Sequence, residues 1–341
     1  MPEVLDWLLE EDTENPGVRY FALTDLLDRP AGDGEVMAAR QAVMERGPIP
    51  AILAAQNPEG WWEKPGPGYN PKYRSTVWSM IYLAQLGASP ADPRVCAGGD
   101  YLLDHAIAPN GAFSASGTPA GNIHCLAGNL AAALLDLGFG GDERLQRALD
   151  TMARYVTGEG IAPAGEKDAP LFYLKSGTCG PGFRCSANDK LPCAWGAVKV
   201  LRALARVPKA ERSLAVQSAL ATTVDFLFSA DPATAGYPAG YAELRASDKP
   251  SRSWFQFGFP VFYVTDVLQT AEVLTEAGYG DDARLDNTYD LILGKRDSQG
   301  RWKLEYSYKG KTWADVEQKG KPSKWVTLRA LRVLKRAGIE A

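Results

Sequence analysis

Apolar residues recur along the chain at helical spacing, and no alternating apolar/polar run is long enough to argue a sheet. Two segments, Val77–Leu86 and Asn129–Leu137, are apolar almost all round, which predicts helices buried on every side. A repeating unit follows from this. An apolar helix ends in Gly, an acidic turn comes next, then a second, amphipathic helix, then a Gly-aromatic turn. The first helices of the unit end at Gly87, Gly138, Gly278 and Gly338, where Gly suits a left-handed C-cap. A fifth, Lys190–Val207, matches without the terminal Gly. Asp92, Asp142 and Asp281 stand near the starts of the next helices, where negative charge suits the helix dipole. Those second helices read Pro93–Ala106, Asp142–Val156, Arg212–Ser229 and Asp282–Lys295, with Val36–Gln56 an earlier, less regular member. The uneven spacing is taken up in two long loops, Gly158–Asp189 and Ala230–Trp254.

The unit predicts an all-α chain of five to six helical hairpins, closed as an open solenoid or as a ring with the apolar helices innermost. Residues 1–35 read as a short N-terminal helical extension, and 36–341 as the hairpin domain.

The turn Gln56-Asn57-Pro58-Glu59-Gly60-Trp61-Trp62 follows the pattern Gln-x-x-x-Gly-x-Trp, and Arg296–Trp302 is a degraded copy. A weaker one ends Gly111-Ala112-Phe113. In such a turn Gly reverses the chain and the aromatic packs under the next hairpin, a scaffold role. The same pattern resembles the QW motif of the terpenoid cyclases and protein prenyltransferases. With the hairpin repeat, the resemblance implies their α/α toroid. The prenyltransferase β-subunits are the nearer likeness. Tyr73-Arg74-Ser75-Thr76-Val77-Trp78 resembles their Arg-Ser motif, whose Arg faces the acceptor. Asn122-Ile123-His124 resembles the motif whose His contacts the prenyl diphosphate. Gly182-Phe183-Arg184-Cys185, Lys190 and Cys193 resemble the segment that supplies diphosphate-binding cations and a zinc-ligand Cys. Leu191 replaces the family's zinc-ligand Asp, with Asp189 nearby, and Gln256 stands where its zinc-ligand His belongs. The Asp-x-Asp-Asp acid of class II terpene cyclases is absent.

The residues themselves carry a related picture. Lys72 and Arg74, Lys175, Arg184 and Lys190, Lys249 and Arg252, and Lys321 and Lys324 each precede an apolar helix. In a ring these loops share one rim, and a cationic rim above an aromatic interior suits a phosphorylated apolar ligand. Trp254, Phe255, Phe257, Phe259, Phe262 and Tyr263 are the densest aromatic run, partly core and partly cavity lining. Cys179, Cys185 and Cys193, with His124-Cys125 one hairpin earlier, present zinc's preferred donors at a spacing that is not Cys-x-x-Cys. Asp266, after an apolar stretch taken as part of an inner helix, is the expected general acid if it is not simply paired.

Composition narrows the field. Lys plus Arg number 37 against 41 acids, a net charge of -4, which disfavours a broad nucleic-acid surface. Five Cys in 341 residues do not make a disulfide scaffold. The acidic N-terminus and the lack of an apolar span read as a soluble cytoplasmic chain with reduced thiols. The leading expectation is therefore an isoprenoid-handling, prenyltransferase- or cyclase-like enzyme, with a zinc cofactor and a partner subunit or homodimer both left open. In it His124, Arg184, Lys190, Arg252 and Lys324 hold the diphosphate. Arg74 orients an acceptor, and Trp78, Trp254 and Tyr263 line the cavity. Its rivals are a non-catalytic binding or scaffold toroid and a carbohydrate-active α/α barrel, which would want two carboxylates across one cleft.

Overall fold

The computed structural model describes residues 2–162, 166, 168, 179–240 and 251–340. Among them the helices are α1 (Pro2–Leu9), α2 (Pro16–Phe21), α3 (Gly34–Glu45), α4 (Pro48–Ala54), α5 (Thr76–Leu86), α6 (Pro93–His105), α7 (His124–Asp136), α8 (Glu143–Thr157), α9 (Ala194–Arg206), α10 (Leu214–Leu227), α11 (Val267–Glu276), α12 (Asp286–Gly294) and α13 (Lys324–Arg336). The described strands form one short antiparallel hairpin, β1 (Cys179–Gly180) and β2 (Arg184–Cys185). The fold is an all-α toroid. No described helix is long and apolar enough to cross a membrane.

Five helices form the inner layer, α5, α7, α9, α11 and α13, each packed on the next. The outer helices α4 and α6 flank α5, α8 backs α7, α10 backs α9, and α12 backs α11. One central cavity is lined by the C-terminal parts of all five inner helices, so they run parallel around a common axis. The N-terminal helices α1 and α2 pack on α13 and supply its outer layer. Val4, Leu8 and Val18 lie in the same core cluster as the ring, so α1 and α2 pack into its core, while Leu23 joins Val36 and Ala39 in a small separate cluster. At Gly17 a Cβ would come within 2.4 Å of the Leu86 carbonyl and 2.8 Å of the Trp325 ring, which places α2 between α5 and α13.

The repeat seen in the pattern has a common physical basis. Gly87, Gly138, Gly278 and Gly338 follow inner helices at φ of 87°, 89°, 98° and 68°, a conformation that favours Gly. Asp92, Asp142 and Asp282 each accept the amide two residues on and pair with that residue's guanidinium, in Arg94, Arg144 and Arg284. The third cap is thus Asp282 rather than Asp281, because the side chain must reach the amide of the second residue after it. The two Trp turns are built alike. Trp62 Nε1 donates to Ile52 O and Trp302 Nε1 to Ile292 O, both at 2.7 Å. Their amides donate to Thr76 Oγ1 and Thr327 Oγ1 on the following inner helix, at 3.1 and 3.0 Å. The expected helix over 36–56 is instead two. Gly47 takes φ 68° and Pro48 starts α4, since Pro cannot donate to the preceding turn.

Candidate functional site

The interior of the ring is plugged at mid-height by a stretch of irregular, non-helical chain. Residues 259–265 were expected to run within an inner helix, but α11 starts only at Val267. The stretch before it enters the ring, and polar side chains of the inner helices satisfy its backbone. Gln85 of α5 pairs with both polar groups of Val261, at 2.7 and 2.9 Å. Asn129 of α7 donates to Phe262 O at 2.9 Å, and Arg329 of α13 to Gly258 O at 2.6 Å. Each partner meets a backbone group that would otherwise be buried without a hydrogen bond.

Above the plug, at the N-terminal mouth, the aromatic side chains pack on one another. Trp78, Tyr73, Phe262, Tyr263 and Tyr308 meet with ring centroids 4.6–5.7 Å apart. Trp78 is buried and donates to Tyr69 O at 2.7 Å, and Tyr263 shares a hydroxyl–hydroxyl bond with Tyr69. Trp254 is buried elsewhere, donating to Pro232 O at 2.8 Å, and Phe259 stacks on Trp325 at 4.3 Å. These contacts fill with side chains the volume expected to be an aromatic cavity.

The expected cationic rim is dispersed. Lys72 sits over the Tyr263 ring at 5.0 Å. Arg74 lies over Trp313 at 4.1 Å and pairs with Glu63 at 3.0 Å. Arg184, Lys190 and Arg252 are exposed, and Lys324 pairs with Glu10 and Asp12 at 3.4 Å. Lys175 and Lys249 lie outside the described residues. Asp266 is the N-cap of α11. It accepts the Gln269 amide at 2.6 Å and the Gly258 amide at 3.1 Å, and pairs with Arg329 at 3.2 Å. Those partners occupy both carboxylate oxygens, which makes Asp266 a cap and ion-pair partner within the fold.

The thiols do come together at this mouth. Thiol–thiol interactions link Cys179 to Cys185, Cys185 to Cys193, and Cys193 to Cys125. Cys185, flanked by two thiol donors, is pulled well below the usual thiol range, whereas Cys179 and Cys193 are pushed above it. His124 is buried at the first turn of α7. Its amide donates to Cys179 Sγ at 3.3 Å, Nε2 bonds Gly180 O at 3.0 Å, and Nδ1 has no partner. Burial lowers its pKa, so the ring is not the exposed cation expected to meet a diphosphate. Asp189 lies exposed beside Gly240. As the side chains stand, no three His, Cys, Asp or Glu among the described residues form a ready metal cage.

Below the plug, at the C-terminal mouth, lies the central cavity of about 390 Å³. Its wall carries Arg202 and Arg206 of α9, Glu272 and Glu276 of α11, Arg329, Arg332 and Arg336 of α13, and Asp136 of α7. Phe21, Phe259 and Val261 supply an apolar side. Most charges are matched. Arg206 pairs with Asp136 and Glu276 at 2.8 Å, Arg329 with Glu272 at 2.6 Å, and Arg332 with Asp25 at 2.5 Å. Arg202 differs, since among the described residues it makes no ion pair. Burial, and then the like charge of Arg206, lower its pKa. One turn further in, Lys199 is fully buried, donates to Gln269 Oε1, and falls from 10.5 to about 7, chiefly through burial. Lys199, Arg202 and Arg206 share one face of α9 at helical spacing, which was the signal available in the sequence.

No protein-family model matches the chain, and no curated protein matches it. Among solved structures the chain is similar to the type II terpene cyclase MstE from Scytonema in its apo form. The TM-score is 0.35 and the identity 15%, over 85% of this chain and 96% of that one. A variant of that cyclase in complex with geranylgeranyl dihydroxybenzoate gives a TM-score of 0.30 and 14% identity, over 85% and 95%. Likeness at this level carries nothing about function, and the toroid stands on the helix contacts above.

Proposed function

We propose that the protein binds a phosphorylated, partly apolar small molecule of the isoprenoid-diphosphate class in the central cavity. The reading keeps the ligand class expected from the sequence and moves its site from the N-terminal rim to the C-terminal mouth. One observation carries it: Arg202 stands half-buried at the cavity wall beside Arg206 and makes no ion pair among the described residues, with Asp136, Glu272 and Glu276 only within Coulombic reach. Two adjacent guanidinium groups at a half-buried wall repel one another, and a phosphate that accepts from both offsets the repulsion with charge-assisted bonds. The volume of about 390 Å³ lies within the ordinary range of small-molecule sites. Phe21, Phe259 and Val261 offer a surface for hydrocarbon. The chemistry on offer is binding, because Asp136, Glu272 and Glu276 are each held by an arginine.

Isothermal titration calorimetry with farnesyl diphosphate, farnesol and inorganic pyrophosphate tests this. Farnesyl diphosphate should bind more tightly than either fragment, and Arg202→Met should weaken it about tenfold or more, roughly 1.4 kcal/mol. Absence of farnesyl diphosphate binding to the wild type, or equal affinity in the variant, would overturn it.

A further inference from the structure

The group of thiols at the opposite mouth is not used by the cavity, and it has a chemistry of its own. Its members come from three separate parts of the chain. Cys125 lies in the first turn of α7, Cys193 is the N-cap of α9, and Cys179 and Cys185 face each other across the β1–β2 hairpin. Neither hairpin cysteine gives its amide to the other, since Cys179 N donates to Asn122 O and Cys185 N to Leu191 O. They are therefore a non-hydrogen-bonded pair, the register in which Cα atoms approach to about 4.5 Å and side chains lie closest. The hairpin is sealed against the ring. Cys193 N donates to Phe183 O at 2.9 Å, Gly182 N to Val156 O at 2.9 Å, and Phe183 is buried.

A second observation points to a ligand. His124 is 2% exposed, and its Nε2 is spent on Gly180 O, which fixes the tautomer with a bare Nδ1. That Nδ1 is buried without a hydrogen-bond partner, next in sequence to Cys125 and with its amide on Cys179 Sγ. A buried imidazole nitrogen left without a partner carries a desolvation cost. Outer-nitrogen bonding to a backbone carbonyl is also the usual posture of a metal-ligating histidine. The first turns of α7 and α9 meet here, a Cβ on Gly196 coming within 3.0 Å of His124 Cβ.

We propose that Cys125, Cys179, Cys185 and Cys193, with His124 Nδ1 alongside, bind one zinc-class ion that clamps the β1–β2 hairpin to the starts of α7 and α9. Of these donors only Cys193 lies where the prenyltransferase resemblance would put a zinc ligand. Binding replaces thiol protons by metal–sulfur bonds of about 2.3 Å and releases those protons. The thiols lean on one another in the present arrangement, and rotation about their Cα–Cβ bonds converts that chain of contacts into a shell. A tetrahedral ion takes four of these five donors, His124 Nδ1 among them, so the site is closed and structural and leaves no position for substrate.

The full-length protein, purified without chelator, would be examined by native mass spectrometry and elemental analysis. Cobalt substitution would then be followed through the d–d bands of tetrahedral thiolate coordination. One metal per chain, its retention in Cys96→Ser, and its loss in Cys179→Ser and Cys193→Ser are expected. Chelator should lower the melting temperature of the wild type, and zinc should restore it, a readout that does not depend on any variant folding. A folded chain that neither contains nor takes up zinc or cobalt would overturn the proposal. So would a Cys179–Cys185 disulfide, seen as three rather than five alkylatable thiols after denaturation. The outcome is independent of whether the arginine-lined cavity binds a diphosphate.

Discussion

Lys199→Met isolates the cost of a buried amine. The native pKa falls from 10.5 to about 7, mainly because burial penalises the charged form, with Arg202 adding to the effect. Between those two values the unfolded chain binds a proton that the native chain lacks, so wild-type stability rises with pH across the window. At about 1.4 kcal/mol per pH unit the whole interval is worth roughly 5 kcal/mol. Below pH 7 both states are charged and the native state bears that cost in full. Methionine is uncharged and similar in size, so it removes the cost, but it leaves Gln269 Oε1 without its donor, a loss of about 1–3 kcal/mol. The difference favours the variant by about 2–4 kcal/mol at pH 6 and favours the wild type near pH 10. Urea unfolding of both proteins at pH 6, 8 and 10 should show the two stability curves crossing. Parallel curves would refute the reasoning, since they would mean that Lys199 titrates alike in the folded and unfolded chain.

Two further perturbations test other parts of the fold. A Cβ on Gly128 would come within 2.3 Å of the Lys199 backbone, so Gly128→Ala must part α7 from α9. It should destabilise by about 3 kcal/mol, and an unchanged melting temperature would show that this contact can slide at no cost. Glu317 is raised from 4.5 to about 7 by burial, against the opposing bonds from Ser323 Oγ and the Lys324 amide. There the native state holds a proton that the unfolded chain has lost, so this group lowers stability as pH rises from about 4.5 to 7. Glu317→Gln should therefore flatten that fall and gain over wild type above pH 7, while a gain confined to acidic pH would contradict it.

The ring was legible in the sequence because it is local chemistry repeated. Gly after an inner helix and Asp before an outer one act within a few residues, and each Trp turn reaches only its two flanking helices, so their spacing encodes the hairpin. The interior was not legible for the opposite reason. Whether the apolar stretch before Asp266 continues a helix or threads the ring depends on Gln85, Asn129 and Arg329, which lie far away in the chain. The same distance hid the arginine-lined mouth, whose members come from five helices that only closure brings together. The cysteines were visible as residues, yet Cys125 belonged to them only once α7 and α9 were side by side. The described rim cations do not act as a group, because Lys72 and Arg74 meet aromatic faces, Lys324 meets carboxylates, and Arg184, Lys190 and Arg252 face solvent.

The seam of the ring joins segments that are made at very different times. Trp325 Nε1 donates to Asn15 Oδ1 across 310 residues of sequence, and α13 takes its outer layer from α1 and α2. During synthesis the early helices must wait, with their apolar faces uncovered, until nearly the whole chain has emerged. An open stack of hairpins could lock each unit as it leaves the ribosome and would survive the loss of a terminal repeat. Here the last inner helix acts as a keystone, so a nascent chain stopped before residue 324 exposes both broken edges at once.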